Sequence, residues 1–227
     1  MNNIAIILGA GNGTRMKTKD SKLLLKIGGK TVIERSVDAF LSSSDIDEVI
    51  VTVREQDLET FSALLTDERV TFVIGGDTRQ QSVRNAVETI DECGLLAIHD
   101  GARPLISSDA IDDTVRAAKE YSAAATGVYV KDTIKVVDKD GFVVNTPNRS
   151  TLFAVQTPQI FDFELYKSAL EFAEKNGRDF TDDCQLAEYY GKKVKMVTGD
   201  YTNIKITTPE DIDFAESILK NKVMLCE

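Results

Sequence analysis

Short β-branched runs alternate with stretches of helical period through the first half of the chain. Ile4-Ala5-Ile6-Ile7-Leu8 is a continuous apolar run of strand length, and Thr31-Val32-Ile33-Glu34 is a capping box opening a helix whose inner face is Ile33, Val37, Phe40 and Leu41. Glu48 to Val53 predicts a second strand, followed by Leu58, Phe61, Leu64 and Leu65 at helical spacing. Val70 to Ile74 predicts a third, followed by a helix carrying Val83, Ala86, Val87 and Ile90; Leu95 to His99 predicts a fourth, with a helix after Ser107 or Ser108. This alternation predicts an α/β fold: a mostly parallel sheet with helices on both faces.

The rhythm breaks at 131–150. Thr133 to Val137 and Phe142 to Asn145 flank Asp138-Lys139-Asp140-Gly141, a hairpin signal, and this arm is expected to project from the body. Beyond it the pattern predicts a strand around Phe153 to Gln156 and a helix through Leu165, Ala169 and Phe172 ending at Gly177. A helix from about Thr181 to Tyr190, a strand from Lys193 to Val197 and a last helix with Thr208 as cap and Pro209 in its first turn complete it. No linker or repeat interrupts the chain, so 1–227 reads as a single domain with its arm at about 131–150.

Composition narrows the class. In 227 residues, 27 Lys plus Arg against 37 Asp plus Glu leave a net charge of −10, a field that repels nucleic acid and anionic membrane surfaces. A small anionic substrate then requires cations gathered at one site. Cys93, Cys184 and Cys226 have no C-x-x-C spacing, so neither a disulfide framework nor a thiolate metal site is indicated. The apolar runs, Ala123 to Val130 among them, fall short of the ~20 residues of a membrane helix. With no basic N-terminal region, a cytoplasmic location is expected.

The first connection, Gly9-Ala10-Gly11-Asn12-Gly13-Thr14-Arg15-Met16, puts glycines directly after a buried strand, where backbone N–H groups can approach a phosphate. Thr14 breaks the dinucleotide fingerprint, and no Gly-Lys-Ser/Thr follows as in a P-loop. Two readings stay open on these residues: a loop whose Arg15 and Lys22 meet a triphosphate, or a plain glycine-rich turn with solvated cations. Gly75 to Val83 and His99 to Pro104 also follow strands, where ligands of open α/β sheets collect. Asn203 to Thr207 adds Lys205. His99 is read as structural, and Cys184 as a helix residue. The Asp45/Asp47, Asp138/Asp140 and Asp211/Asp213 pairs are read as solvated charge, with no protein metal site.

GAGNGTRM, Ser21-Lys22, GGDTRQQSV, HDGARP, Asp132 to Lys135, Asn148-Arg149, Gln156 to Phe161, Thr181 to Asp183 and Asn203 to Asp211, in this order, resemble the 2-C-methyl-D-erythritol 4-phosphate cytidylyltransferase family over essentially the whole chain. The resemblance implies a glycosyltransferase-A-like nucleotidyltransferase fold with a dimerising arm. It implies CTP and a sugar-alcohol phosphate as substrates, pyrophosphate as a product, and Mg2+ carried mainly on the CTP phosphates. On the matching positions, Arg15 and Lys22 stabilise charge at the α-phosphate and on departing pyrophosphate, and Arg149 and Lys205 position the methylerythritol phosphate. Gly9, Ala10, Gly11 and Gly13 line the nucleotide, with Gly76, Asp77 and Ser82 near base and ribose. Asp100, Arg103, Thr133, Thr157 and Thr181 belong to the substrate pocket, Thr133 and Arg149 being delivered by the other chain of a homodimer. Ser21 departs from the family's usual Pro, Leu23-Leu24 from a Gln-aromatic pair, and Gly101 from Ala.

The chemistry suits these residues. A phosphate monoester with its second pKa near ~6 is mostly dianionic at neutral pH, so the nucleophile needs no general base. Catalysis then rests on alignment and charge neutralisation, consistent with a chain holding one His. Two rivals share the pattern: an alditol-phosphate cytidylyltransferase using ribitol 5-phosphate, and a catalytically silent nucleotide-binding regulator. Retention of Arg15, Lys22, Arg149 and Lys205 weighs against the second.

Overall fold

The computed structural model describes residues 1–11 and 21–224. In chain order the strands are β1 Ile4–Leu8, β2 Lys26–Ile27, β3 Lys30–Thr31, β4 Glu48–Val53, β5 Val70–Ile74, β6 Leu95–Asp100, β7 Ala123–Tyr129, β8 Val136–Val137, β9 Val143–Asn145, β10 Phe153–Asp162 and β11 Lys195–Thr198. The α-helices are α1 Val32–Leu41, α2 Leu58–Leu64, α3 Arg79–Val87, α4 Ser108–Tyr121, α5 Phe163–Lys175, α6 Asp183–Tyr189 and α7 Glu210–Met224.

Seven strands form one sheet in the order β11-β7-β10-β6-β1-β4-β5. β1 pairs in parallel with β4 and β6, β4 with β5, and β11 with β7, whereas β10 runs antiparallel to both neighbours. Period-2 geometry splits each central strand between two cores. Ala5, Ile7, Val49, Val51 and Ala97 face α1, α2, α4 and α7, while Ile4, Ile6, Ile50, Leu96 and Ile98 face α3, α5 and α6. Burial on both faces is why these strands read as continuous apolar runs instead of alternating ones.

Helix ends follow local chemistry. Thr31 accepts from the Glu34 N–H and the Glu34 carboxylate accepts from the Thr31 N–H, so the capping box forms as the sequence predicts. Ser107 caps α4. α5 closes with Gly177 at φ +60°, its N–H donating to the Glu174 carbonyl while Arg178 N–H donates to that of Ala173. These two bonds are a Schellman ending, which needs a left-handed residue at that step.

Several boundaries differ from the sequence reading. Ala123–Tyr129, noted only as an apolar run, is a strand, with Ala124 in the core under α4 and Ala123 in the core on the opposite face. β10 continues to Asp162 because it pairs with β6 as well as β7. The last helix starts at Glu210, one residue beyond Pro209, and Leu58 stays exposed on its helix. The arm's strands shrink to β8 and β9, with Asp138 Oδ1 tying the turn through the N–H groups of Asp140 and Phe142. Throughout 131–150 only Pro147 is even half-buried, so the arm projects as expected.

Candidate active site

Strand register brings the connecting segments to one edge. Leu8 lies opposite both Thr52 and Asp100, and Val53 opposite Ile74, so the loops after β1, β4, β5 and β6 open side by side. Between them is a cleft of about 490 Å³ lined by Ala10, Gly11, Lys22, Arg54, Gly76, Asp77, Arg79, Ser82, Asp100 and Lys205, among others. Gly9 is the hinge of its floor. Its N–H donates to the Thr52 carbonyl at 2.9 Å, and a Cβ there would come within 2.6 Å of that oxygen, so only glycine permits the approach. Gly13 and Arg15 lie outside the described residues.

Lys22 opens a short 3-10 helix whose N–H of Leu23 is capped by Ser21, while buried Leu23 anchors it. Its Nζ donates to the Ile206 carbonyl at 2.7 Å, joining the first loop to the segment that carries Lys205. On the opposite wall, Gln81 Oε1 accepts from the N–H groups of Asp77 and Thr78, and Ser82 Oγ accepts from that of Gly76. Those donors are spent within the loop, leaving it to meet a ligand with carbonyl and carboxylate acceptors.

Asp100 is the charge centre. Lys205 Nζ lies 2.8 Å from its Oδ2, Arg103 Nε 3.6 Å from Oδ2, and Arg79 Nε 3.8 Å from Oδ1. Burial would raise this carboxyl, but Lys205, Arg79 and Arg103 outweigh that and hold it at about 2. Arg79 also reaches Asp183 at 2.7 Å, and Arg103 donates through Nη1 to the Asn203 carbonyl. Buried Arg103 Nε has no hydrogen-bond acceptor among the described residues.

Behind Asp100, Thr157 Oγ1 accepts from the Asp100 N–H and bonds His99 Nδ1 at 2.9 Å. The Arg103 carbonyl sits 3.2 Å from His99 Nε2, which places the imidazole proton on Nε2 and makes Nδ1 the acceptor for the Thr157 hydroxyl. Complete burial pushes His99 down to about 4, so it is neutral and structural, as read from the sequence. Burial pushes the Cys93 thiol up to about 12 and raises that of Cys184 as well, making both inert.

Ala10, Gly11, Lys22, Gly76, Asp77, Ser82, Asp100 and Lys205 thus share the cleft wall, with Gly9, Arg103 and Thr157 supporting it from below. Thr181 is exposed just before α6. Thr133 and Arg149 stand apart, at the base of the arm, in a separate hollow with Tyr129 and Asn148, where Arg149 Nη1 donates to the Lys131 carbonyl. The sequence reading gave no role to Arg79 or Asp183, although both fall inside its quoted segments. It missed Arg54 and Glu55, whose position after β4 has no motif. The acidic pairs are occupied structurally: Asp45 by Lys119, Asp47 by the Asn3 N–H, and Asp211 by the N–H groups of Thr207 and Thr208.

The model of the 2-C-methyl-D-erythritol 4-phosphate cytidylyltransferase (IspD) family matches residues 3–221. The chain belongs to this family. Among curated members of the 2-C-methyl-D-erythritol 4-phosphate cytidylyltransferases, that of Caldanaerobacter subterraneus subsp. tengcongensis is 45% identical over 97% of this chain and 100% of its own. One from Clostridium perfringens is 41% identical over 96% of this chain and 98% of its own. The crystal structure of 4-diphosphocytidyl-2C-methyl-D-erythritol synthase from Anaerococcus prevotii superposes with a TM-score of 0.87 at 36% identity, covering 96% of each chain. The mostly parallel sheet derived from periodicity is the cytidylyltransferase sheet. No helix among the described residues is long and apolar enough to cross a membrane.

Proposed function

We propose the following division of labour for the cleft. The enzyme transfers the cytidylyl group of CTP to 2-C-methyl-D-erythritol 4-phosphate in the non-mevalonate route to isoprenoids. An oxygen of the acceptor phosphate bonds to the α-phosphorus, the α–β bridging bond breaks, and its electron pair leaves with pyrophosphate. The observation that carries this reading is the convergence of Lys22, Arg79 and Lys205 on a glycine-floored cleft in a chain whose net charge is −10. Two anions meet there only because local cations overcome the global field.

In this reading Lys22, with Arg15, neutralises charge on the α-phosphate and on leaving pyrophosphate, and Lys205 positions the acceptor phosphate. Gly9, Ala10, Gly11 and Gly13 line the triphosphate. Gly76 and Asp77 present acceptors to the cytosine amino group, which selects CTP over UTP, whose O4 would face like charge. Asp100, Arg103, Thr157 and Thr181 frame the acceptor end.

A divalent cation is read as arriving on CTP. Among the described residues no three His, Cys, Asp or Glu side chains converge, and Asp100 is already engaged by three cations. Bound through the CTP phosphates, Mg2+ would supply charge neutralisation there. Thr133 and Arg149, at the base of the arm, do not line their own chain's cleft. The arm carries Ile134, Val136, Val137, Phe142, Val143 and Val144 exposed, an apolar strip that a second copy would cover. We read 1–227 as one catalytic domain whose arm supplies Thr133 and Arg149 to its twin, in a cytoplasmic homodimer.

The test is pyrophosphate release from CTP and Mg2+ with methylerythritol phosphate or ribitol 5-phosphate, run in parallel. Faster turnover with methylerythritol phosphate is expected. Faster turnover with ribitol 5-phosphate would move the acceptor assignment, and no release with either would favour a silent regulator.

A further inference from the structure

We infer that Asp183 is a positioning residue for the acceptor lysine: by holding Arg79, it leaves Asp100 to hold Lys205. The inference rests on the role proposed above for Lys205. Asp100 carries one negative charge and faces three cations, of which only Lys205 is at hydrogen-bond distance, 2.8 Å. Arg79 is drawn the other way. Its Nη2 lies 2.7 Å from Asp183 Oδ2, whereas its Nε stays 3.8 Å from Asp100.

Asp183 is placed for this task at the start of α6, whose own N–H groups do not take its carboxylate. It sits at the first position of α6, where a carboxylate ordinarily turns back to its own helix N-terminus. Here that terminus is already served: Gln159 Oε1, from β10, accepts from the N–H groups of Asp183 and Cys184 at 2.9 Å each, and Asp182 caps Gln185. The Asp183 carboxylate points instead at α3, one oxygen on Arg79 and the other accepting from the hydroxyl of fully buried Tyr166 at 2.7 Å. The Asp183 side chain is 4% exposed and that of Arg79 23%, so water screens the pair only weakly. A chain of contacts therefore runs from Tyr166 on α5 through Asp183, Arg79 and Asp100 to Lys205.

Without the Asp183 charge, Asp100 is the nearest anion left to Arg79. A guanidinium binds carboxylate as a two-pronged fork, which an ammonium does not match, so Arg79 would close on Asp100 and displace Lys205. Asp183→Asn keeps the shape and removes the charge. It should weaken methylerythritol phosphate, in KM and in calorimetric Kd, by about tenfold, with the KM for CTP changing less than about threefold.

A double-mutant cycle with Lys205→Met separates positioning from general damage. If Asp183 acts through Lys205, Asp183→Asn weakens acceptor binding in the parent and adds nothing in the Lys205→Met background. Losses that multiply, or an unchanged acceptor Kd in the single variant, overturn the inference. Should Lys205→Met itself leave acceptor binding unaltered, the role of Lys205 fails first and the inference falls with it. Tyr166→Phe, which deletes only the hydroxyl donor, gives the same cycle with an expected two- to threefold effect if Asp183→Asn does not fold.

Discussion

Lys22 is held at the start of a short helix with its ammonium on the Ile206 carbonyl, so its charge is pre-oriented before any nucleotide arrives. Interactions that strengthen only as charge develops act on turnover and not on affinity. Lys22→Ala should therefore lower kcat at least about 100-fold while the KM for CTP moves far less. A normal kcat with a raised KM would make Lys22 a ground-state ligand. His99 allows a test of a different kind. Its folded value of about 4 lies below the ordinary 6.5, so between pH 6.5 and 4 the unfolded chain takes up a proton that the native state refuses. Stability thus falls by about 1.4 kcal/mol per pH unit across that window, reaching about 3 kcal/mol at its lower end. Asp100 acts lower: held at about 2 against 3.8, its stabilising contribution is complete above 3.8 and disappears as pH falls toward 2. Denaturant midpoints followed from pH 7 to 4 should show the first slope in the parent and lose one proton's worth of it in His99→Gln; an unchanged slope would refute the assignment. The lysines and glycines of the cleft were legible as sequence, because charge and backbone freedom are properties of residue type. Asp183 and Tyr166 were not, since their role depends on which two helices the sheet order brings together.

α3 ties stability to the shape of the cleft. Its cap Thr78 accepts from the Gln81 N–H, and Gln81 in return holds the Asp77 N–H, so one capping box also shapes the cleft wall proposed to meet the nucleotide. Thr78→Ala should cost about 1 kcal/mol of stability and raise the KM for CTP, whereas Gly177→Ala, at the left-handed end of α5, should cost about 1 kcal/mol with unchanged kinetics. Parallel thermal melts and CTP titrations distinguish the two, and equal kinetic effects would contradict the coupling. Capping signals of this sort were readable, as Thr31 and Ser107 demonstrate. The β2–β3 hairpin around Gly28-Gly29 went unread because two-residue strands are too short to show a period. Strand β7 went unread because alanine has little strand preference of its own, and the burial of Ala123 and Ala124 on opposite faces of the sheet shows only in the fold.

The whole molecule places Lys22 and Arg149 in separate hollows of one chain. If arms cross to a partner, mixing Lys22→Ala with Arg149→Ala subunits creates dimers with one doubly defective site and one intact site, so activity should return on exchange. Confirmed exchange with no return would assign Arg149 to its own chain. What no periodicity carried is that a strand made late, β10, lies between two made earlier, β6 and β7. On the ribosome this ordering matters. The β5-β4-β1-β6 half can pair as it emerges, but β7 has as sheet neighbours only β10 and β11, both synthesised after it. Each nascent chain must therefore carry an unpaired, alanine-rich strand and its exposed apolar arm until residue 162 is free, and it gains Lys205 only after that. Synthesis stalled within the arm would leave open strand edges and no chemistry, which makes this stretch of translation the interval when holding chaperones have most to protect.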